Sequence, residues 1–409
     1  MTDRTPHGLS RRGLLGALGA AATAPVAFAG GAFAADADAT PDAPTSYPFE
    51  GAHQQGILTP MQRQATYVAF DVTAGNRAEL QELLRTITER ARFLTAGGTP
   101  PDSGLVATTY DNGILGPEIP ADGLTVTASV GASLFDKRFG LKRRRPARLR
   151  RMEAFPNDSL DRSQCDGDLL LQICGDNTDT VVHALRDIAR ATRGGMAVRW
   201  RIDGFQSPPR PAGTPRNLLG FKDGTANPDA TDDALMDELV WTHAGNGEPD
   251  WVEGGTYHVV RSIRMLVEFW DRVSVREQNA MFGRDKVSGA PLSGTQEFDT
   301  PLYGELDGGG SIRFDAHIRL ASDSGQATEQ RIIRRGFNYD RGTDVNGNLD
   351  MGLIFTCFNQ DLERQFVSIQ RRLVDEPLVD YIAPFGGGYF FALPGVRDSS
   401  DWLGRGMFT

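Results

Sequence analysis

Residues Asp168–Arg190 read DLLLQICGDNTDTVVHALRDIAR, and residues Gly352–Leu373 read GLIFTCFNQDLERQFVSIQRRL. Each begins with a short apolar run, passes through an Asn/Asp turn, and continues with apolar residues at helical spacing. Two strand–turn–helix units about 180 residues apart imply two similar halves. The surrounding pattern agrees. In the first half, Ala65–Gly75 (ATYVAFDVTAG) reads as a strand. Arg77–Phe93 follows as a helix, with Leu80, Leu83, Leu84, Ile87 and Ala91 on one face. Leu124–Val130 and Met196–Gly204 alternate as strands on either side of the Asn177–Arg193 helix. In the second half, Thr256–Val267 is strand-like, Ser274–Phe282 begins a helix, Gln360–Leu373 is helical, and Gly388–Leu393 is a closing strand. The fold class predicted is α+β, each half an antiparallel sheet with helices on one face. The Pro-rich Gln206–Asn217 segment divides the halves.

The 409 residues suffice for two ordinary domains, and 40% hydrophobic with 23% charged residues describes a soluble globular chain. A net charge of -10 excludes a general nucleic-acid binder, whose footprint is basic. The basic run Lys142–Arg151 (KRRRPARLRR) has no interleaved aromatic residue and reads as a solvated surface able to attract anionic substrates. Cys165, Cys174 and Cys357 lack zinc spacing and read as structural, small hydrophobes in a core. The Asp344–Asp350 segment imitates a calcium loop, but Phe355 stands where the bidentate glutamate belongs, so it is a turn.

The chain starts with an address. Arg11-Arg12 precedes a Gly/Ala-rich run to Ala34, ending Ala32-Phe33-Ala34, the pattern of a cleavable twin-arginine signal. Pro25 and the small residues argue against a membrane span. That route exports folded proteins and suits a cofactor inserted before export. Ala35–Tyr47 is a flexible polar leader.

Among six histidines, His7 belongs to the signal, and His53, His183, His243 and His258 sit in ordinary settings. His317 ends an apolar–polar alternation and precedes a partly apolar stretch, SIRFDAHIRLA. A packed histidine and an axial ligand of haem iron are both open readings for it. Asp223 stands in Gly220-Phe221-Lys222-Asp223-Gly224-Thr225, where a turn residue competes with a proton carrier. Arg334 and Arg335 form a doublet, one of which could stabilise anionic charge. The residues alone do not choose between them. No nucleophile elbow, P-loop, HExxH or Rossmann fingerprint is present.

The motif Gly220-Phe221-Lys222-Asp223-Gly224 (GxxDG), followed in order by HIRLA and IRRGFNY, resembles the dye-decolourising peroxidases, as do the flanking FEGAHQQGI and FGGGYFF. The likeness spans nearly the whole mature chain, and the signal and NPD continuation are most similar to the exported, iron-uptake-associated branch. The resemblance implies two ferredoxin-like halves of the dimeric α/β-barrel type: residues 48–217, and a haem-binding 218–409, after a signal at 1–34 and a leader at 35–47. It implies one haem b per chain with His317 as axial iron ligand, Asp223 as acid–base carboxylate and Arg335 as the distal arginine. Gly224, Thr225, Ala226, Leu353 and Phe355, with Ser322, Asp323 and Ser324 after the histidine, would also touch haem. The implied activity reduces hydrogen peroxide through ferryl states and oxidises dyes, phenols or other bulky one-electron donors, with an acidic optimum. Tyr389, Tyr257 and Trp270 are candidate electron relays. The alternative is a haem- or iron-handling role of deferrochelatase type, or ferrous-iron oxidation in an uptake system. Partners expected are the export machinery and membrane-associated or copper/iron-handling proteins, in the periplasm, cell envelope or medium.

Overall fold

The computed structural model describes residues 45–105, 108–245, 247–304 and 312–409. The expected signal and all but the last three residues of the leader lie outside them. The first half contains β1 (Gln64–Val72), α1 (Arg77–Ala96), β2 (Thr125–Gly131), β3 (Leu169–Gly175), α2 (Thr178–Ala191) and β4 (Met196–Phe205). After α3 (Asp233–Leu239), the second half runs through β5 (Thr256–Met265), α4 (Val267–Trp270), α5 (Val275–Phe282) and α6 (His317–Ala321). It continues with β6 (Ile333–Arg334), β7 (Phe337–Thr343), β8 (Leu349–Asn359), α7 (Ser368–Arg372) and β9 (Ile382–Ala392).

All the strand pairs are antiparallel, and they close a ring: β2–β3–β1–β4–β7–β8–β5–β9 and back to β2, with β6 added on β8. The two expected sheets are therefore one closed, eight-stranded sheet. Its seams are short: three residue pairs join β2 to β9, and Phe205↔Asn338 joins β4 to β7. Closure leaves no long edge among the described strands for another chain to pair with.

Closure also explains which strands lack alternation. Every residue of β3 is buried, because one face lies under α1 and α2 and the other faces the ring interior. In β4 the alternation is clear: Trp200 and Ile202 point inward, and Arg199, Arg201 and Asp203 face solvent. Inside the ring, Tyr67, Leu170, Trp200, Phe337, Ile354 and Phe390 form one apolar cluster. A larger outer cluster joins Val68, Phe70 and Ile173 to Leu80, Leu84, Ile87 and Ile188 of the two helices. Asn76 caps α1 by accepting from the Ala78 and Glu79 amides.

Several expectations change. The residues before His317 form a turn, not a strand, and His317 begins α6. The expected Gln360–Leu373 helix is widened at Glu363–Val367, where the backbone takes π geometry before α7. The Gln365 amide, donating to Leu239 and Arg331 carbonyls, anchors this bulge. The basic run is largely tied down: Arg148 pairs with Glu248 and Asp361, Arg150 with Glu153 and Glu363, and Arg151 with Asp166. Of its ten residues, Lys142, Arg143, Arg145, Ala147 and Arg151 are exposed. All three cysteines are buried and unbridged, and Asp344–Asn348 makes the β7–β8 turn.

One buried polar group sets a pH dependence. His258, 0% exposed, lies in the ring between Ser129 Oγ (2.9 Å) and Thr356 Oγ1 (3.4 Å). Burial pushes its pKa down to about 3 from 6.5. Between those values the unfolded chain binds a proton that the folded chain does not. Stability therefore falls as pH drops from about 6.5 to about 3, with this group contributing up to about 1.4 kcal/mol per pH unit. Denaturant titrations of His258→Gln across that window should give a shallower slope than wild type, and an unchanged slope would remove His258 as its source.

Candidate active site

In the first half the helices sit directly on the sheet. In the second half they stand away from it, leaving a cavity of about 1090 Å³. This volume lies just above the usual range for small-molecule and cofactor sites, about 300–1,000 Å³. The sheet wall is Arg261 and Ile263 from β5 with Leu353 and Phe355 from β8. Phe282 of α5, His317 of α6 and Phe366 of the π bulge form the helix side.

His317 is fixed from behind. Its Nδ1 donates to Glu376 Oε2 at 2.7 Å, and the Glu376 side chain is only 3% exposed while His317 keeps 27%. Burial disfavours the charged imidazole, but the Glu376 carboxylate outweighs it and holds the His317 pKa above its ordinary value. A ring hydrogen-bonded at Nδ1 to a carboxylate leaves Nε2 free and more basic, an arrangement able to hold a metal ion. The short helix is held at both ends. Arg372 donates to the Leu320 and Ala321 carbonyls at its C-terminus. Gly283, at φ +80° after α5, lets Ile318 pack where a Cβ would meet its Cγ1 at 2.8 Å.

The GFKDG turn brings in the carboxylate. Phe221 is buried in a stack with Phe282 (3.9 Å between centroids) and beside Trp270, so the turn is anchored by its aromatic residue. Lys222 pairs with Glu297, which also accepts from Thr214 and Thr225. Between these anchors Asp223 reaches the cavity, accepting from Arg334 Nη1 at 3.0 Å. Gly224 has φ +109° and open space where a side chain would stand, so the backbone here can approach a ligand closely.

The structure sends the two members of the arginine doublet to different places, and the expected Arg335 is not the one at the cavity. Arg334 lines the cavity; Arg335, 3% exposed, does not. Arg335 turns into the ring and donates to the Thr59 and Pro60 carbonyls and to Gln62 Oε1 (2.5 Å). Successive side chains of an extended segment point to opposite faces, so only one of the pair can enter the cavity. Of the other expected contacts, Gly224, Thr225, Ala226, Ser322, Ser324, Leu353 and Phe355 line it. Asp323 does not: it is exposed, in a left-handed turn at φ +50°. Tyr389 and Tyr257 do not line the cavity but pack in the outer apolar cluster, Tyr389 edge-on to Phe366, and Trp270 packs edge-on to Phe282.

Sequence reasoning missed Glu376, 59 residues from its partner, along with Arg261, Arg284 and Arg331 on the cavity wall. A charged residue inside the apolar run YHVVRSIRM was the available signal for Arg261. Its Nε and Nη1, and Asn157 Oδ1, have no protein partner among the described residues, although both residues line the cavity. A large, mostly apolar slot, one basic imidazole, and the unpartnered N–H groups of Arg261 at the wall together fit a haem with its carboxylate periphery.

Residues 54–206 match the family model described as Dyp-type peroxidase, N-terminal, and residues 214–397 match Dyp-type peroxidase, C-terminal. Deferrochelatase from Escherichia coli (strain UTI89 / UPEC) is 50% identical over 408 residues, covering 97% of this chain and 96% of that protein. Deferrochelatase from Shigella flexneri is 49% identical over 406 residues with the same coverage. Among solved structures, a DyP-type peroxidase from Cellulomonas bogoriensis is 35% identical, with a TM-score of 0.79 over 89% of this chain and 98% of that one. The oxyferrous complex of DtpA from Streptomyces lividans is also 35% identical, with a TM-score of 0.80 over 90% and 98%.

Replacing Glu376 by Gln keeps the hydrogen-bond geometry and removes the charge behind His317. Haem titrated into Glu376→Gln should bind roughly tenfold or more weakly than into wild type, read by optical spectroscopy and calorimetry. Equal affinity would show that the carboxylate does not tune the imidazole.

Proposed function

The chain belongs to the Dyp-type peroxidase family, and from that premise we propose that it is an exported haem b peroxidase with His317 as iron ligand and Asp223 and Arg334 as its peroxide-handling pair. The observation that carries this reading is the Asp223–Arg334 contact at 3.0 Å in the same cavity as the Glu376-backed His317. Haem, when bound, supplies the redox chemistry, two-electron reduction of hydrogen peroxide and one-electron oxidation of donors. Asp223 moves the peroxide proton from one oxygen to the other, so that the departing oxygen leaves as water. Arg334, permanently charged, stabilises the negative charge that builds as the O–O bond stretches. Its ion pair with Asp223 also orients the carboxylate. Ile263, Leu353 and Phe355 keep the wall apolar, which strengthens both electrostatic effects.

The closed sheet supports a finer description. The order β4–β1–β3–β2 in the first half recurs as β9–β5–β8–β7 in the second, with helices between the corresponding strands. We read it as two ferredoxin-like halves joined edge to edge. The Arg11-Arg12 signal supports export by the twin-arginine route.

A second reading has a specific observation behind it: near-half identity over almost the full length to proteins called deferrochelatase. In that reading the same pocket binds haem and releases its iron. Incubating haem-loaded protein with a ferrous chelator and no peroxide separates the two; iron recovery with intact porphyrin supports the second.

Stopped-flow mixing of the haem-loaded protein with hydrogen peroxide tests the first. Asp223→Asn and Arg334→Leu should each slow the change in the haem spectrum by roughly 10²-fold or more at unchanged haem content. A wild-type rate in Asp223→Asn would remove the carboxylate from the mechanism.

A further inference from the structure

We propose that Arg335 is the positioning residue that aims Arg334 into the cavity, using the segment at residues 59–62 that leads into β1 as its anchor. The proposal rests on the reading of Arg334 as the peroxide-site arginine, and it deepens that reading.

The first observation is a buried cation with no carboxylate. Arg335 is 3% exposed, and among the described residues it pairs with no Asp or Glu. Its acceptors are neutral: the Thr59 and Pro60 carbonyls and the Gln62 amide oxygen. Burying a guanidinium against neutral oxygens is costly, and a core position could be filled by an apolar side chain instead. What the guanidinium offers is a planar fork that ties several fixed acceptors to one side chain.

The second observation is that the acceptors are themselves immobilised. Gln62 donates to Gly123 O (3.0 Å) and Thr125 Oγ1 (2.9 Å). Thr59 Oγ1 accepts from the Gly56 amide and donates to Gln55 Oε1, while Gln172 donates to Gly56 O. Gln54 clamps the β2–β9 seam by donating to Ala128 and Leu393 carbonyls and accepting from the Ala128 amide. The segment at residues 54–62 is thus tied to β2, β3 and the end of β9, and Arg335 is tied to that segment.

The third observation is the shortness of the strand that carries Arg334. Its strand, β6, is two residues long and has two paired positions on β8. Asn227 brackets the Arg334 backbone, accepting from its N–H (3.2 Å) and donating to its carbonyl (2.8 Å). The next residue then sets the direction of the chain. With Arg335 locked into the ring, Arg334 must point the opposite way, towards Asp223. Without that lock, the backbone is left to the two β6–β8 pairs, the Asn227 bracket and the Arg335 N–H bond to Thr356 O (2.9 Å), none of which fixes the side-chain direction beyond residue 335. The doublet divides its labour: one guanidinium meets the reacting atoms and the other holds the backbone.

The test uses the full haem-loaded chain and a double-variant cycle. Arg335→Lys keeps the charge and loses the fork. It should slow the peroxide reaction per haem by roughly tenfold to a hundredfold at unchanged haem content. In an Arg334→Leu background the same change should alter the rate by less than about twofold. In haem-free protein, hydrogen exchange should quicken in peptides covering residues 54–62 and 333–336. A per-haem rate unchanged in Arg335→Lys while thermal stability falls would overturn the proposal, as would equal slowing in both backgrounds or unchanged exchange. If Arg335→Lys fails to fold, Gln62→Leu removes one acceptor and leaves the arginine; it should slow the reaction in the same direction, and a wild-type rate would overturn the proposal. Should wild type itself not react with peroxide, the functional reading falls, and the exchange result still decides whether Arg335 holds the segment.

Discussion

The hydrogen bond from His317 Nδ1 to Glu376 is the contact on which the cavity depends. It crosses from α6 to the segment after α7, joining the two helical pieces that stand off the sheet. A carboxylate buried to 3% exposure is expensive unless something nearby repays it. The imidazole does so, and the same interaction orients the ring and raises its basicity. Arg372 closes the arrangement from the other side, bonding the last carbonyls of α6 from within α7. The histidine is therefore held by the group that tunes it, and its free edge is left for the cavity.

The opposite wall obeys a different constraint, the two-residue period of an extended chain. Arg261, Ile263, Leu353 and Phe355 reach the cavity because they occupy alternate positions on neighbouring strands. The intervening residues, Val260, Ser262 and Ile354, are buried, and Val260 and Ile354 belong to the apolar cluster inside the ring. Arg334 and Arg335 are the same rule applied to two like residues. Closure of the ring makes the inner face a real destination, so a charged side chain sent there must find fixed acceptors.

Much of the architecture was legible because its signals are local. The strand–turn–helix echo of residues 168–190 and 352–373 became β3–α2 and β8 with its π bulge and α7. The GFKDG turn and His317 were legible as candidates, and both reach one cavity. The hidden part was long-range. The ring closes through one seam of three pairs and another of one, too few to leave a sequence pattern. His317 was read at the end of a strand because the alternation in SIRFDAH is real, yet packing on Gly283 and the Arg372 cap make a helix of His317–Ala321. The Arg334/Arg335 choice required knowing which face of the chain is inside, and Glu376 has no spacing relation to the histidine it serves.

The two halves also differ in a way that local sequence does not record. In the first, Leu80, Leu84, Ile87 and Ile188 fill the layer between helices and sheet, and the result is an ordinary core. In the second, the equivalent layer is opened by pieces too short to fill it: α4, α6 and α7 have four or five residues each. Short helices gain little from their own backbone hydrogen bonds and must be fixed by specific contacts. The Phe221–Phe282 stack with Trp270 edge-on to it, the Gln365 anchor and the His317–Glu376 bond are such contacts, and each one borders the cavity or lies directly behind it. Opening the layer thus transfers stability from a continuous apolar core to a few directional bonds. That transfer is what permits a site whose polar groups hold fixed positions around an apolar slot.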